Sequence, residues 1–271
     1  QKIKDYRITN NPMKIIYFGN GPRGFRCLEI LFKKKYNISA VVGHSGDSDV
    51  VRLGLRHRIP TFQPRKVNEK SFVRELRKCS PDLFVLAGYN QILKKDLINL
   101  PRFGALNLHG GKLPDYRGAA PINWQIINGE TKGGCCIIFV DEGIDTGDIV
   151  EQVYYDINEN DTAEDIVNKQ LELFPNILIR TIENIKQNKI TRMKQDINVG
   201  SYYTRRYPKD GFIDWQLITA QQTHNLIRAL HGPYPPAFCI YKGEMYNIIS
   251  SRMLDEIILG PPGRIALRHG N

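Results

Sequence analysis

Two polar side chains end a short apolar segment in the middle of the chain. The segment is Ala105–His109, in which Asn107 and His109 alternate with leucines. Successive side chains of a strand point to opposite faces, so these two project from the same face. An amide beside an imidazole suits acyl transfer, because the amide polarises a carbonyl oxygen while the imidazole moves a proton. The pair predicts an active site at the carboxyl end of this strand, where open parallel sheets bind ligands.

An acidic, glycine-rich turn, Asp141–Asp148, is the second candidate for chemistry. A carboxylate at Asp145 would either fix the tautomer of the imidazole or hold a water, and the residues alone leave both roles open. The two glycines that follow His109 leave room for a substrate close to the backbone.

A third motif, Gly19–Gly24, reads G-x-G-x-x-G between an apolar segment and an amphipathic one. This pattern is typical of dinucleotide sites, where glycines let backbone amides approach a pyrophosphate. An NAD site also needs an acidic residue at the end of the second strand, where this chain has Val42-Gly43-His44. A tight structural turn and an NAD-dependent oxidoreductase are therefore both open interpretations of the motif.

The candidate catalytic strand belongs to a series of short apolar segments separated by amphipathic ones. We predict an α/β fold, a Rossmann-like open and mostly parallel sheet with helices on both faces, because strands alternate with helices. The predicted strands are Met13–Phe18, Ile38–Val42, Pro60–Phe62, Leu83–Ala87 and Ala105–His109, and the predicted helices are Pro22–Lys35, Val50–Arg58, Glu69–Cys79 and Ile122–Ile127.

The pattern changes after residue 130. A strand pair is expected around the acidic turn, followed by a long helix that opens at Asp161 and Glu164 and contains Pro175. A smaller α+β unit with one helix and two strands follows; the segments are Cys135–Val140, Ile149–Tyr155, Thr219–Leu230, Phe238–Tyr241 and Tyr246–Ile249. We divide the chain into an N-terminal extension (1–12), a catalytic domain (13–200) and a C-terminal unit (201–271), which we expect to be truncated.

Composition excludes several classes of protein. The 271 residues have 41% hydrophobic and 24% charged side chains, which is typical of a globular chain, and the apolar runs are too short to span a bilayer. The five cysteines are odd in number and form no C-x-x-C, which argues against disulfides and zinc and favours a reducing cytoplasm. The net charge of +10 attracts anionic partners. No run of five basic residues occurs, so nucleic acid is not the expected partner.

The segment Asn107–Pro121, with Gly129-Glu130 and Asp145-Thr-Gly147 after it, resembles the formyltransferases that use 10-formyltetrahydrofolate. The resemblance runs from Met13 to at least Ile249. It implies 10-formyltetrahydrofolate as the formyl donor and no metal. It also implies a catalytic trio and a folate pocket; the trio would be Asn107, His109 and Asp145, and the pocket residues Gln91, Ile92, Leu93, Asp141 and Asp145.

Later segments resemble the branches that formylate methionyl-tRNA and the amino groups of sugars; these segments are Tyr203–Trp215 and Ile227–Pro235. Gly43–Val51 is short and acidic where the tRNA branch has a basic insertion, and Lys112 replaces a leucine of that branch. Lys112, Tyr116 and Arg117 would suit a pyrophosphate. We therefore expect a nucleotide-sugar N-formyltransferase of surface-glycan (O-antigen) synthesis. Methionyl-tRNA formyltransferase is the alternative. The oligomeric state is open, with a homodimer as one option.

Overall fold

The computed structural model describes residues 12–46, 48–256 and 259–265. Apart from Pro12, the predicted N-terminal extension lies outside these residues. The helices and strands follow in chain order: β1 Lys14–Gly19, α1 Gly21–Lys33, β2 Asn37–Val42, α2 Asp49–Arg56, β3 Thr61–Phe62, α3 Lys70–Lys78, β4 Leu83–Ala87, α4 Lys95–Ile98, β5 Ala105–His109, β6 Arg117–Gly118, α5 Pro121–Ile127, β7 Lys132–Phe139, β8 Ile149–Asp156, α6 Ala163–Lys186, β9 Tyr202–Tyr203, α7 Ala220–Ala229, β10 Ala237–Tyr241 and β11 Glu244–Ile248.

Seven strands form one sheet in the order β3-β2-β1-β4-β5-β7-β8. The strands from β3 to β5 pair in parallel, and β7 joins β5 in the antiparallel sense. The central strands β1 and β4 are continuous apolar runs whose residues Ile15–Phe18 and Leu83–Ala87 are buried. Such runs are typical of strands that helices cover on both faces. The predicted α/β class with a mostly parallel sheet is confirmed.

Contacts divide the chain into two compact units. The first comprises 1–117, 134–154 and 169–201, and the second comprises 118–133, 155–168 and 202–271. This contact-based division differs from a single boundary near residue 200, because two earlier segments group with the C-terminal residues. The second unit is mixed α+β: its core includes Ile126 and Ile166 on helices and Ala237 on a strand.

The start of α6 differs from the predicted cap at Asp161 and Glu164. The Thr162 hydroxyl accepts a hydrogen bond from the Asp165 amide at 3.3 Å, and the Asp165 carboxylate accepts one from the Thr162 amide at 2.8 Å. This reciprocal pair is a capping arrangement one residue further along. The Asp161 carboxylate is already committed to the preceding turn, where it accepts a hydrogen bond from the Asn158 amide.

No helix within the described residues combines the length and the apolar character needed to cross a membrane.

Candidate active site

Strand β5 carries the two candidate catalytic side chains at its carboxyl end. Its neighbours are β4, which places Ala87 opposite Leu108, and β7, which places Cys136 opposite His109. Two flanking strands therefore fix the backbone from which Asn107 and His109 project. The prediction that both lie on one face at the end of a sheet strand agrees with their common contact, Asp145.

His109 is 5% exposed, and each ring nitrogen faces an oxygen. Nε2 lies 2.5 Å from the main-chain oxygen of Tyr116, and Nδ1 lies 3.4 Å from Oδ2 of Asp145. A main-chain carbonyl only accepts hydrogen bonds, so Nε2 carries a hydrogen. Nδ1 is then the ring nitrogen without a hydrogen in the neutral form, and it lies beside a carboxylate.

The Asp145 carboxylate joins the two polar residues of β5. Its Oδ1 accepts a hydrogen bond from Nδ2 of Asn107 at 3.3 Å, while Oδ2 faces His109. The tautomer is thus set by the Tyr116 carbonyl, and the carboxylate lies beside the other ring nitrogen, Nδ1. The sequence left this role open between tautomer control and water binding.

The backbone of Asp145 is held in a conformation that few non-glycine residues adopt. Its φ is +53°, in the left-handed region. Nε2 of Gln195 donates to the carbonyls of Asp145 and Gly147 at 2.8 and 2.7 Å. Arg117 donates from Nε to Oε1 of Gln195 at 3.1 Å. A buried relay therefore holds the turn that aims the carboxylate.

This relay corrects the predicted role of Arg117 as a substrate contact. The side chain is 0% exposed, and its other nitrogens donate to the carbonyls of Val199 and Asp196, each at 3.0 Å. A buried guanidinium that has protein acceptors supports the site from behind. Tyr116 is also buried, at 2% exposure, so the predicted contact of its side chain with substrate is replaced by the contact of its carbonyl with His109.

Lys112 is half-buried, with Nζ 5.8 Å from the centroid of the Tyr116 ring. A lysine over an aromatic ring gains a cation–π interaction, and its predicted contact with a pyrophosphate stays a prediction.

A cleft with a volume of about 130 Å³, open to solvent, adjoins Asn107 and Asp145 of the trio. Asn107 and Asp145 contribute to its wall, and so do all the predicted folate-pocket residues; the further lining residues are Leu86, Tyr89, Asn90, Ile138, Phe139, Val140, Gly143 and Ile144. Apolar walls with a few polar groups are typical of small-molecule sites. The structure therefore brings the two predicted pocket segments together around one cleft.

The predicted pocket residues differ in what their side chains do. Gln91 accepts from the Val67 amide at 2.9 Å and donates to the Pro64 carbonyl at 3.2 Å, so its side chain ties the cleft wall to a neighbouring loop. Ile92 is 64% exposed, whereas Leu93 is buried. The Asp141 carboxylate accepts from the Thr146 hydroxyl at 2.7 Å and shapes the acidic turn.

One wall residue, Asn90, depends on a histidine that the sequence did not mark. The Asn90 amide donates to Nε2 of His44 at 3.1 Å, and the His44 ring lies 5.0 Å from that of Tyr89. Burial lowers the pKa of His44, so the neutral ring that accepts this hydrogen bond is favoured. Neither His44 nor Gln195 lies in a recognisable motif, since each acts through a hydrogen bond to a residue distant in sequence.

Packing accounts for Gly24, the last glycine of the G-x-G-x-x-G motif. A Cβ at Gly24 would lie 2.8 Å from the Ala87 carbonyl oxygen and 3.2 Å from the Val50 side chain, so α1 approaches β4 too closely for alanine. The Gly24 carbonyl also accepts a hydrogen bond from the buried Tyr17 hydroxyl at 2.7 Å. Among the described residues there is no group of three or more His, Cys, Asp or Glu side chains that could hold a metal ion.

Two family models match this chain. The model described as formyl transferase matches residues 13–182, and the model described as formyl transferase, C-terminal domain, matches residues 206–271. The chain is 33% identical over 254 residues to the methionyl-tRNA formyltransferase of Clostridioides difficile (strain 630), covering 90% of this chain and 82% of the relative. It is 37% identical over 234 residues to the bifunctional polymyxin resistance protein ArnA of Wigglesworthia glossinidia brevipalpis. That match covers 83% of this chain but only 36% of the relative.

Solved structures of formyltransferases share the fold. WlaRD, a sugar 3N-formyl transferase solved in the presence of dTDP and 5-N-formyl-THF, superposes with a TM-score of 0.69 at 24% identity, covering 92% of this chain and 89% of that one. The N-formyltransferase from Helicobacter canadensis, in complex with folinic acid and dTDP-3-aminofucose, gives 0.71 at 23% identity, covering 91% and 90%. The matched models and the relatives show that this protein is an enzyme of the formyl transferase family.

Proposed function

We propose that the protein transfers a formyl group from 10-formyltetrahydrofolate to the amino group of a nucleoside-diphosphate-linked amino sugar. The observation that carries the proposal is the cluster in which Asp145 contacts both Asn107 and Nδ1 of His109 beside the cleft. These three residues are the proposed catalytic residues.

The cleft suits the formyl donor. Leu86, Ile138 and Val140 offer an apolar wall to a flat heterocycle, and the backbone of 89–93 and 141–145 offers polar groups at its rim. Gln91, Ile92, Leu93, Asp141 and Asp145 are the residues that we propose to hold this ligand. When bound, the donor supplies the formyl carbon that the acceptor amine attacks.

His109 performs the proton transfer in this proposal. Nδ1 takes a proton from the attacking amine, and the Asp145 carboxylate stabilises the imidazolium that forms. Nδ1 then returns the proton to the departing nitrogen of the donor, so no proton is lost to solvent. Nε2 keeps its hydrogen and donates it to the Tyr116 carbonyl throughout, which keeps the ring in one orientation.

Asn107 stabilises the negative charge that develops on the formyl oxygen. One hydrogen of its Nδ2 is used by Asp145, and the amide has a second hydrogen for the oxygen of the reacting group. Losing one donor of this kind typically costs about 10²–10³ in rate.

Two features favour a nucleotide-linked sugar as the acceptor. Lys112 follows the catalytic strand closely and carries a positive charge for a pyrophosphate. The segment Gly43–Val51 is short and contains Asp47 and Asp49, which does not favour a polyanion. The dTDP-3-aminofucose bound by the Helicobacter canadensis enzyme supports the same class of acceptor. A role in surface-glycan synthesis in the cytoplasm and a homodimeric state belong to this proposal.

Methionyl-tRNA is the second candidate acceptor, and a specific observation favours it. Several relatives that are 32–36% identical over 90% or more of this chain are named methionyl-tRNA formyltransferases. A competition assay separates the two: the enzyme is incubated with 10-formyltetrahydrofolate and either nucleotide-linked 3- and 4-amino sugars or charged initiator tRNA. We expect mass spectrometry to show that one formyl group has been added to a sugar. Formylation of the tRNA alone would favour the second candidate.

A further inference from the structure

The G-x-G-x-x-G motif contains an arginine that reaches the catalytic strand. Arg23 lies in α1, and its Nη1 donates to the Leu108 carbonyl at 3.2 Å. Its Nη2 donates to Oε1 of Gln170 at 2.9 Å, and the guanidinium lies 4.7 Å from the centroid of the Phe174 ring. Three contacts therefore fix the side chain in one position against the end of β5.

Gln170 of α6 completes the arrangement. It is 1% exposed, and its Nε2 donates to the Gly110 carbonyl at 2.8 Å. Leu108 and Gly110 are the two residues that flank His109. The Arg23–Gln170 pair therefore holds the carbonyl on each side of the proposed catalytic base.

Strand pairing ends at this point: the ladder of β5 with β7 runs as far as His109. The pairing of β4 with β5 ends where Ala87 lies opposite Leu108. Gly110 lies beyond both ladders, so its carbonyl needs a donor from elsewhere, and Gln170 supplies it, while Arg23 adds a donor to the Leu108 carbonyl at the last pair with β4. A Cβ at Gly110 would lie 2.7 Å from Nη2 of Arg23 and 2.9 Å from Oε1 of Gln170, so the close approach of the pair requires this glycine.

We propose that Arg23 and Gln170 are positioning residues for formyl transfer, which fix the backbone on both sides of His109 and thereby the direction of Nδ1 relative to Asp145. This inference rests on the proposed catalytic role of His109. Neither side chain is part of the cleft wall, so the pair acts on the chemical step and not on donor binding. Displacement of a catalytic group by about 1 Å can cost about 10²-fold in rate.

Gln170→Glu is the most informative variant. The carboxylate still accepts from Arg23, but the donor that faces the Gly110 carbonyl is replaced by an oxygen that repels it. Arg23→Met keeps the apolar stem against Phe174 and removes both hydrogen bonds, and Arg23→Lys restores one donor. Arg26→Met is the matched control, because Arg26 lies in the same helix, is exposed and pairs only locally with Glu29 among the contacts described.

Steady-state kinetics on the folded full-length variants test the inference. We expect kcat to fall about 10- to 100-fold in Gln170→Glu and Arg23→Met, with KM for 10-formyltetrahydrofolate within about twofold of the wild type. Arg23→Lys should recover part of kcat. One limb of the kcat–pH profile should disappear in His109→Gln. The same limb should shift along the pH axis in Gln170→Glu and Arg23→Met, and should keep its position in Arg26→Met.

Two outcomes separate this inference from the proposed function. If Gln170→Glu and Arg23→Lys fold and have the kcat and pH profile of the wild type, the positioning role is wrong, even where Arg23→Met does not fold. A rise in KM that accounts for the whole loss also overturns it. If His109→Gln keeps wild-type turnover, the proposed role of His109 is wrong, and the inference falls with it.

Discussion

At the scale of single residues, the residue types and their spacing predict that Asn107, His109 and Asp145 form a cluster. In the structure, Nδ2 of Asn107 lies 3.3 Å from Oδ1 of Asp145, and Nδ1 of His109 lies 3.4 Å from Oδ2. The alternation of side chains along a strand made it predictable that Asn107 and His109 share a face. The orientation of the imidazole was not predictable, because it depends on the Tyr116 carbonyl, whose position follows from a turn with no sequence signature. Arg117 was misassigned for a related reason: sequence does not show whether an arginine beside a site faces the ligand or the interior.

The tautomer of His109 gives the first prediction. The Tyr116 carbonyl at 2.5 Å from Nε2 requires a hydrogen on that nitrogen, so the neutral ring should carry its hydrogen at Nε2. Nitrogen-15 NMR of histidine-labelled enzyme, assigned with His109→Gln, measures this directly. A neutral ring protonated at Nδ1 would contradict the geometry.

The second prediction concerns pH and the cleft wall. Burial lowers the pKa of His44 in the folded state below its unfolded value of about 6.5. The unfolded chain therefore binds more protons as the pH falls below about 6.5, and folding stability decreases across that window. Protonation also removes the acceptor of the Asn90 amide.

His44→Gln is the matched variant, because its side-chain oxygen can accept the same hydrogen bond and does not titrate. Urea unfolding at about pH 7.5 and about pH 5.5 should show a smaller loss of stability at low pH in the variant than in the wild type. Equal losses in both proteins would show that His44 does not contribute.

At the scale of secondary structure elements, hydrophobic patterning located the strands of the sheet and the helices that cover it. The short elements α4, β6 and β9 were not predicted, because they have four, two and two residues and are too short to carry a period. The capping arrangement of α6 lies one residue after the predicted one, because the Asp161 carboxylate is used by the Asn158 amide and the reciprocal pair forms between Thr162 and Asp165. The hydrogen bonds from Arg117 through Gln195 to the acidic turn were not predicted, because they join residues that are distant in sequence and lie in no local motif.

Gly24→Ala is the prediction at this scale. The added methyl would meet a main-chain oxygen of β4 at 2.8 Å, and overpacking of this kind typically costs about 1–3 kcal/mol. We expect a net loss of stability although alanine is the better helix former. Urea unfolding should show this loss in Gly24→Ala, with Arg26→Ala, an exposed change in the same helix, within about 0.5 kcal/mol of the wild type. An unchanged midpoint of urea unfolding in Gly24→Ala would contradict the packing explanation of Gly24.

At the scale of the whole molecule, composition excluded other classes of protein, and the resemblance carried by the sequence motifs indicated the family. The family models match residues 13–182 and 206–271, and the first of these ranges contains the motifs at Asn107–Pro121 and Asp145–Gly147. The net charge of +10 did not discriminate between acceptors, because a nucleotide sugar and a tRNA are both anionic. The choice of acceptor depends on individual contacts, for which Lys112 is the candidate.

The cysteines provide a prediction that reports on the whole fold. All five are free, and burial raises the pKa of Cys27 and of Cys135 to about 12 and the pKa of Cys136 well above its usual value. Thiolate is the reactive form, so these three should resist alkylation at neutral pH in the folded protein. Peptide mapping after iodoacetamide treatment should find them modified only in urea. Rapid modification of Cys135 in the native protein would contradict its burial.

The rate of a single formyl transfer tests the central claim most directly. Enzyme in excess over 10-formyltetrahydrofolate is mixed with saturating nucleotide-linked amino sugar, and the formylated product is followed by mass spectrometry. We expect Asp145→Asn to slow this step by about 10²–10³, because the imidazolium of His109 loses its counter-charge, while Glu142→Gln in the same turn leaves it unchanged. Equal rates for the wild type and a folded Asp145→Asn variant would contradict the proposed mechanism.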